Sequence, residues 1–158
     1  MSAQQIFALA PLGALIRYTD GTLRPPSRFT KKLAAWQRNN GVGRLVRKNP
    51  ERAGGNGSTI PASITLHEGD LSSAGVILVV MHRTWSVTSE LQFTVAELPR
   101  PGMVQIIQTF RDSVELLHLA EDHEAAELWL AKNPHSNARL EVVGDGTPPE
   151  PAVVALAA

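Results

Sequence analysis

Two histidines and three carboxylates fall within seven residues, in Leu117-His118-Leu-Ala-Glu121-Asp122-His123-Glu124. Side chains of these types ligate metals or exchange protons with a substrate. Their spacing argues against a ready-made site. His118 and His123 are five apart, whereas a helical metal pair needs a separation of three or four. The acids have a second use, because the segment reads as a strand running into a helix. Glu121, Asp122 and Glu124 then sit in the first turn, where the helix dipole favours negative charge. Capping is the expectation here, and a hydrolase built on His118 and His123 is a third-ranked reading.

The rest of the chain offers no stronger catalytic pattern. There is no cysteine in the 158 residues, which excludes disulfides, thiolate metal sites and a cysteine nucleophile. No Gly-x-Ser-x-Gly elbow, metalloprotease His pair or dinucleotide fingerprint occurs. Gly54-Gly55-Asn56-Gly57-Ser58-Thr59 lacks the lysine of a phosphate loop and reads as a linker. Neither a metal nor a cofactor is implied, and the expectation is a non-enzymatic protein.

Charge is the stronger signal. The totals cancel, with 15 basic and 15 acidic residues, yet residues 1–53 hold ten bases against two acids, or +8. The remainder holds five bases against thirteen acids, or −8. Such a split marks a surface for an anionic partner or two halves that neutralise each other. Arg17, Arg24, Arg28, Lys31, Lys32, Arg38, Arg44, Arg47 and Lys48 are the candidate binding residues, and the ligand they suit is a polyanion, foremost nucleic acid held by its phosphates. The competing reading is a protein-interaction or inhibitory module. It would present Glu121, Glu124 and Glu127 to the basic groove of a nucleic-acid-handling partner.

The elements that must position these side chains are mixed. Ala14-Leu-Ile-Arg-Tyr-Thr19, Asp20-Gly21 and Thr22-Leu-Arg24 read as a hairpin with a two-residue turn. That register sets Arg17 opposite Arg24, two like charges that an anion between them would reconcile. After Pro25-Pro26, Ser27 caps a helix from about 28 to 40, closed by a left-handed Gly41. On it Phe29, Leu33 and Trp36 form an apolar stripe, away from the arc of Arg28, Lys31, Lys32 and Arg38. A short strand at 44–48 follows. Beyond the glycine-rich segment, strands are expected near 59–67, 75–83, 85–97, 102–110 and 114–119. The stretch from Trp85 to Val95 alternates as one half-buried strand. A helix from about 122 to 133, with Ala125, Leu128 and Trp129 inward, leads to a last strand near 138–143.

The fold expected is therefore α+β: two helices packed on a mainly antiparallel sheet, with an opening hairpin and a terminal β-α-β unit. The organisation expected is a basic segment 1–53, a glycine-rich loop 54–58, a β-rich body 59–143 forming one domain with the first segment, and a flexible Pro/Gly-rich tail 144–158. The apolar run Val76–Met81 is too short to span a bilayer. The opening residues have no basic start before their apolar stretch, and Pro11 interrupts it, unlike a signal peptide. A cytoplasmic location without membrane contact follows, and a homo-oligomer is compatible with the composition.

Overall fold

Residues 1–144 are described by a computed structural model. The chain opens with a short helix, α1 (Ala3–Leu9), and the strand β1 (Leu15–Thr19). A second helix, α2 (Thr30–Asn39), leads directly into β2 (Gly41–Asn49). Two minimal strands, β3 (Arg52–Ala53) and β4 (Thr59–Ile60), form a ribbon whose tip carries the glycine-rich segment. The long strands β5 (Ser63–Ser73) and β6 (Val76–Ser86) precede β7 (Gln92–Glu97), β8 (Val104–Phe110) and β9 (Ser113–Ala120). The third helix, α3 (His123–Lys132), and β10 (Ala138–Val142) complete the described chain.

The fold is α+β, but not in the expected arrangement. Among the described residues eight strands share one antiparallel sheet, and there are three helices, not two, of which α1 and α3 pack on the sheet. The missed helix is α1. Its start is a capping box, in which Ser2 accepts from the Gln5 amide and the Gln5 side chain answers to the Ser2 amide. Ile6 and Ala3 are fully buried on the sheet.

The opening hairpin does not form. Thr22-Leu23-Arg24 has no strand, and β1 pairs instead with β2 on one edge and β7 on the other. Arg17 lies opposite Val42 and Thr94, so no Arg17–Arg24 pair exists across a ladder. The reason is burial. Ile16 and Tyr18 reach a core with Leu45, Ile64, Leu66 and Phe93 only if β1 sits inside the sheet.

The alternating stretch from Trp85 to Val95 is likewise two strands, not one. Hydroxyls fold it between Ser86 and Leu91: Ser86 accepts from the Thr88 amide through its side chain and from the Ser89 amide through its carbonyl. Trp85 and Phe93 then meet at 6.5 Å from different strands. The terminal β-α-β unit is also corrected. β10 does not pair with β9; β8 lies between them, antiparallel to both.

β2 is the seam of the molecule. One of its edges is covered by β5, while the other is shared between β1 at its start and β9 at Arg47. Residues from both sides of the glycine-rich segment thus occupy one sheet. Beyond that sheet β5 and β6 continue as a two-stranded arm turning at Ala74-Gly75, both with positive φ. Positive φ at both turn residues is the geometry of a tight two-residue hairpin.

Candidate polyanion-binding face

The link from β1 to α2 is built on Asp20. Its carboxylate accepts from the Thr22 amide and hydroxyl and from the Asn40 side chain, and these bonds hold its pKa down at about 2. Asn40 in turn accepts from the Thr19 hydroxyl and donates to the Trp36 carbonyl. The Trp36 indole donates to the Thr22 carbonyl at 3.0 Å. This polar clasp, rather than a buried apolar face, fastens the helix. No residue of α2 is buried, Leu33 and Trp36 are only half-buried, and Phe29 is exposed. Docking through an apolar stripe is therefore corrected to anchoring at one end.

The boundaries of α2 differ from expectation as well. Phe29, not Ser27, stands at the N-cap position and provides no capping bond. Gly41 is not left-handed; it begins β2 because a Cβ there would lie 2.5 Å from the Tyr18 hydroxyl. Tyr18 needs that space to donate to Glu68, whose other oxygen lies 3.4 Å from Arg83. Arg83 also donates to the Arg38 carbonyl, placing a cation at the C-terminal end of α2. Burial first, and Glu68 second, push the Tyr18 hydroxyl well above its ordinary pKa. The triad Tyr18–Glu68–Arg83 thus supports α2 from beneath. No sequence signal named it, because its members are fifty or more residues apart from end to end.

The nine candidate cations divide into two groups. Arg17, Arg24, Arg28, Lys31, Lys32 and Arg38 are exposed, and none has an ion-pair partner among the described residues. Arg28 and Lys32 lie over the Phe29 ring at 4.8 and 5.3 Å. The other three are drawn inward. Arg44 donates to the Gly13 carbonyl at 2.6 Å, and Arg47 pairs with Glu115 of β9 at 2.8 Å. Lys48 is half-buried, and burial lowers its pKa. Neutralisation between the halves is local to Arg47 and Glu115; it does not reach the six exposed cations.

The histidine cluster is dispersed. His118 stacks on Trp129 at 5.1 Å, and Trp129 stacks on His135 at 5.7 Å, both nearly parallel. Burial, then the Arg44 charge, lowers the His118 pKa. His123 instead lies 3.4 Å from Glu127, one turn along α3. Asp122 caps α3 by accepting from the Ala125 amide. Glu121 lies 3.9 Å from Arg100, and Glu124 is exposed in the first turn. On α3 it is Ala126 that is buried, while Leu128 faces outward. No three His, Asp or Glu side chains among the described residues converge as a metal set.

A groove of about 620 Å³ opens between the outer part of β2, the β3–β4 ribbon and the tip of the β8–β9 hairpin. Arg47, Asn49, Ser63 and Thr84 line its floor, with Arg52, Phe110 and Arg111 at its rim. Glu51 and Asp112 are also in the rim, so this opening is not uniformly basic.

The family profile for "Uncharacterised conserved protein UCP036055" matches residues 1–147. The chain belongs to this family. No curated protein and no solved structure matches it. The match takes in both the α2 face and the groove, so both lie within the segment that defines the family. No described helix is long and apolar enough to cross a membrane.

Proposed function

We propose that this protein binds a polyanion, foremost nucleic acid, through the α2 face, without catalysing a reaction. The observation that carries the reading is the set of five exposed cations, Arg24, Arg28, Lys31, Lys32 and Arg38, with no acid in ion-pair reach among the described residues; Arg17, also exposed and unpaired there, points from the face of β1 opposite Tyr18. Over residues 17–40 the only acid is Asp20, and its carboxylate is already occupied. Phosphates neutralise such a surface and release counterions. Phe29, exposed between Arg28 and Lys32, supplies a ring on which an unpaired base can stack. Contacts of this type hold a backbone and carry little sequence information. Arg44 and Arg47 are engaged internally, and Lys48 is half-buried. A cytoplasmic location fits this reading, since nucleic acid is available there.

The alternative, an inhibitory module presenting Glu121, Glu124 and Glu127, has less support. Glu121 already lies 3.9 Å from Arg100, and Glu127 lies 3.4 Å from His123.

The test is fluorescence anisotropy with labelled single-stranded DNA, single-stranded RNA and duplex DNA, at 50 and 200 mM salt. Five phosphate contacts predict a loss of about 500-fold in affinity for duplex DNA between these salts. The triple variant Lys31→Ala, Lys32→Ala, Arg38→Ala should bind at least about tenfold more weakly with no fall in melting temperature. Equal binding by the variant, or none by the parent at 50 mM salt, overturns the reading.

A further inference from the structure

The β5–β6 arm has a composition unlike that of the α2 face. Residues 71–81 contain no charged side chain. Six consecutive residues of β6, Val76, Ile77, Leu78, Val79, Val80 and Met81, are between 44% and 62% exposed. Because they alternate, both faces of the arm are apolar. β6 is also an edge strand: among the described residues its only partner is β5, so one row of its backbone amides and carbonyls has no ladder there. A long, uncharged, apolar edge is what monomeric proteins remove or blunt. Here the nearest carboxylate, Asp70, lies on the far strand and is held 2.7 Å from His67.

We propose that the arm joins two copies of this chain, β6 to β6, antiparallel about a twofold axis. The run is complementary to itself. With the axis at Leu78, Leu78 meets its own counterpart, Val76 meets Val80 and Ile77 meets Val79. Every opposed pair is aliphatic, and no like charges meet across the strands. The result is a continuous four-stranded sheet in which the open edge of β6 is satisfied. Leu71, at 58% exposed, adds to the β6 run, and an exposed apolar stretch of this kind marks an interaction site rather than ordinary surface. A bilayer is the weaker occupant, because a lone two-stranded hairpin in hydrocarbon would leave both edges unsatisfied.

Sedimentation velocity of the full chain reads the outcome directly. The expected species at micromolar concentration has twice the 17.1 kDa chain mass. Leu78→Lys places two ammonium groups opposite each other and should return the protein to monomer over a hundredfold range of concentration. Its circular dichroism should not change, because Leu78 is exposed in the single chain. As the chain has no cysteine, Leu78→Cys adds a unique thiol at the axis and should crosslink two chains on mild oxidation, whereas Ser73→Cys on β5 should not. A parent monomer at every concentration overturns the proposal, as does a dimer that survives Leu78→Lys. Flotation of a monomer with phosphatidylcholine–phosphatidylglycerol vesicles would assign the arm to lipid instead.

Discussion

α2 and α3 are each ten residues long, and they treat their N-terminal ends in opposite ways. α3 has Asp122 as a bonded cap, Glu124 in its first turn and Lys132 in its last, each suited to the helix dipole. It buries Ala126 and packs beside Val104, Ile106 and Ala120. α2 has no capping bond, two lysines in its first turn, no acid there and no buried residue. Its stability is borrowed from the Asp20–Asn40–Trp36 clasp at one end. Local rules are obeyed where a helix only supports the fold and broken where its surface has another use. Two cations at a positive helix end are costly unless an anion arrives.

The largest effect that sharpens this contrast comes from size. Ala126→Leu in α3 should destabilise the protein by about 1–3 kcal/mol, because the added methylenes have no space. Ala35→Leu in α2 should stay within about 0.5 kcal/mol, as for any surface site. Urea melts of both variants measure the difference, and equal losses would show α2 to be packed as tightly as α3.

A smaller effect comes from charge at the first turn. Lys31→Glu should stabilise α2 by about 0.3–1 kcal/mol through the dipole while weakening DNA binding. Opposite signs in the melt and the titration are the signature of a helix whose end is kept unfavourable for a ligand. Parallel losses in both would mean that Lys31 is structural.

The smallest effect is an ordering in pH. The folded state holds His118 below its usual 6.5, so the unfolded chain takes up the proton first. Stability present above pH 6.5 is therefore lost as pH falls below it, and the His118–Trp129–His135 stack should loosen there. Asp20 is depressed from 3.8 to about 2, so its contribution survives until the pH falls through that lower window. Following the Trp129 and Trp36 indole protons by NMR during acidification should show Trp129 shifting first. Loss of Trp36 before Trp129 would break the contrast.

Much of this was readable from particular residues, and the failures have physical causes. α3 was legible because its cap, dipole and apolar signals agree. The Asp20-Gly21 turn is present, with Gly21 at positive φ, but turn chemistry fixes only the bend. Which strand lies beside β1 is decided by the burial of Ile16 and Tyr18 against residues far along the chain. The break after Trp85 escaped notice because serine and threonine hydroxyls, rather than Gly or Pro, make it. The capping box at Ser2 and Gln5 was available in the sequence and would have given α1. Charge clustering marked the candidate face. That Arg44, Arg47 and Lys48 would be drawn inward, and the other six left without ion-pair partners among the described residues, depends on distances no spacing encodes.

The way β1 is closed has a consequence for how the protein is made. The Phe93 amide donates to the Met1 carbonyl, and Thr19 aligns with Gln92. During synthesis β1 can find β2 early, but its second edge and the floor under α1 stay open until β7 has left the ribosome. Sequence-distant pairing of this sort slows folding, because a long loop must close before any contact rewards it. Nascent chains that stop short of residue 97 would carry the finished basic helix on an unsealed core, with Ile6, Ile16 and Tyr18 in reach of water and of chaperones.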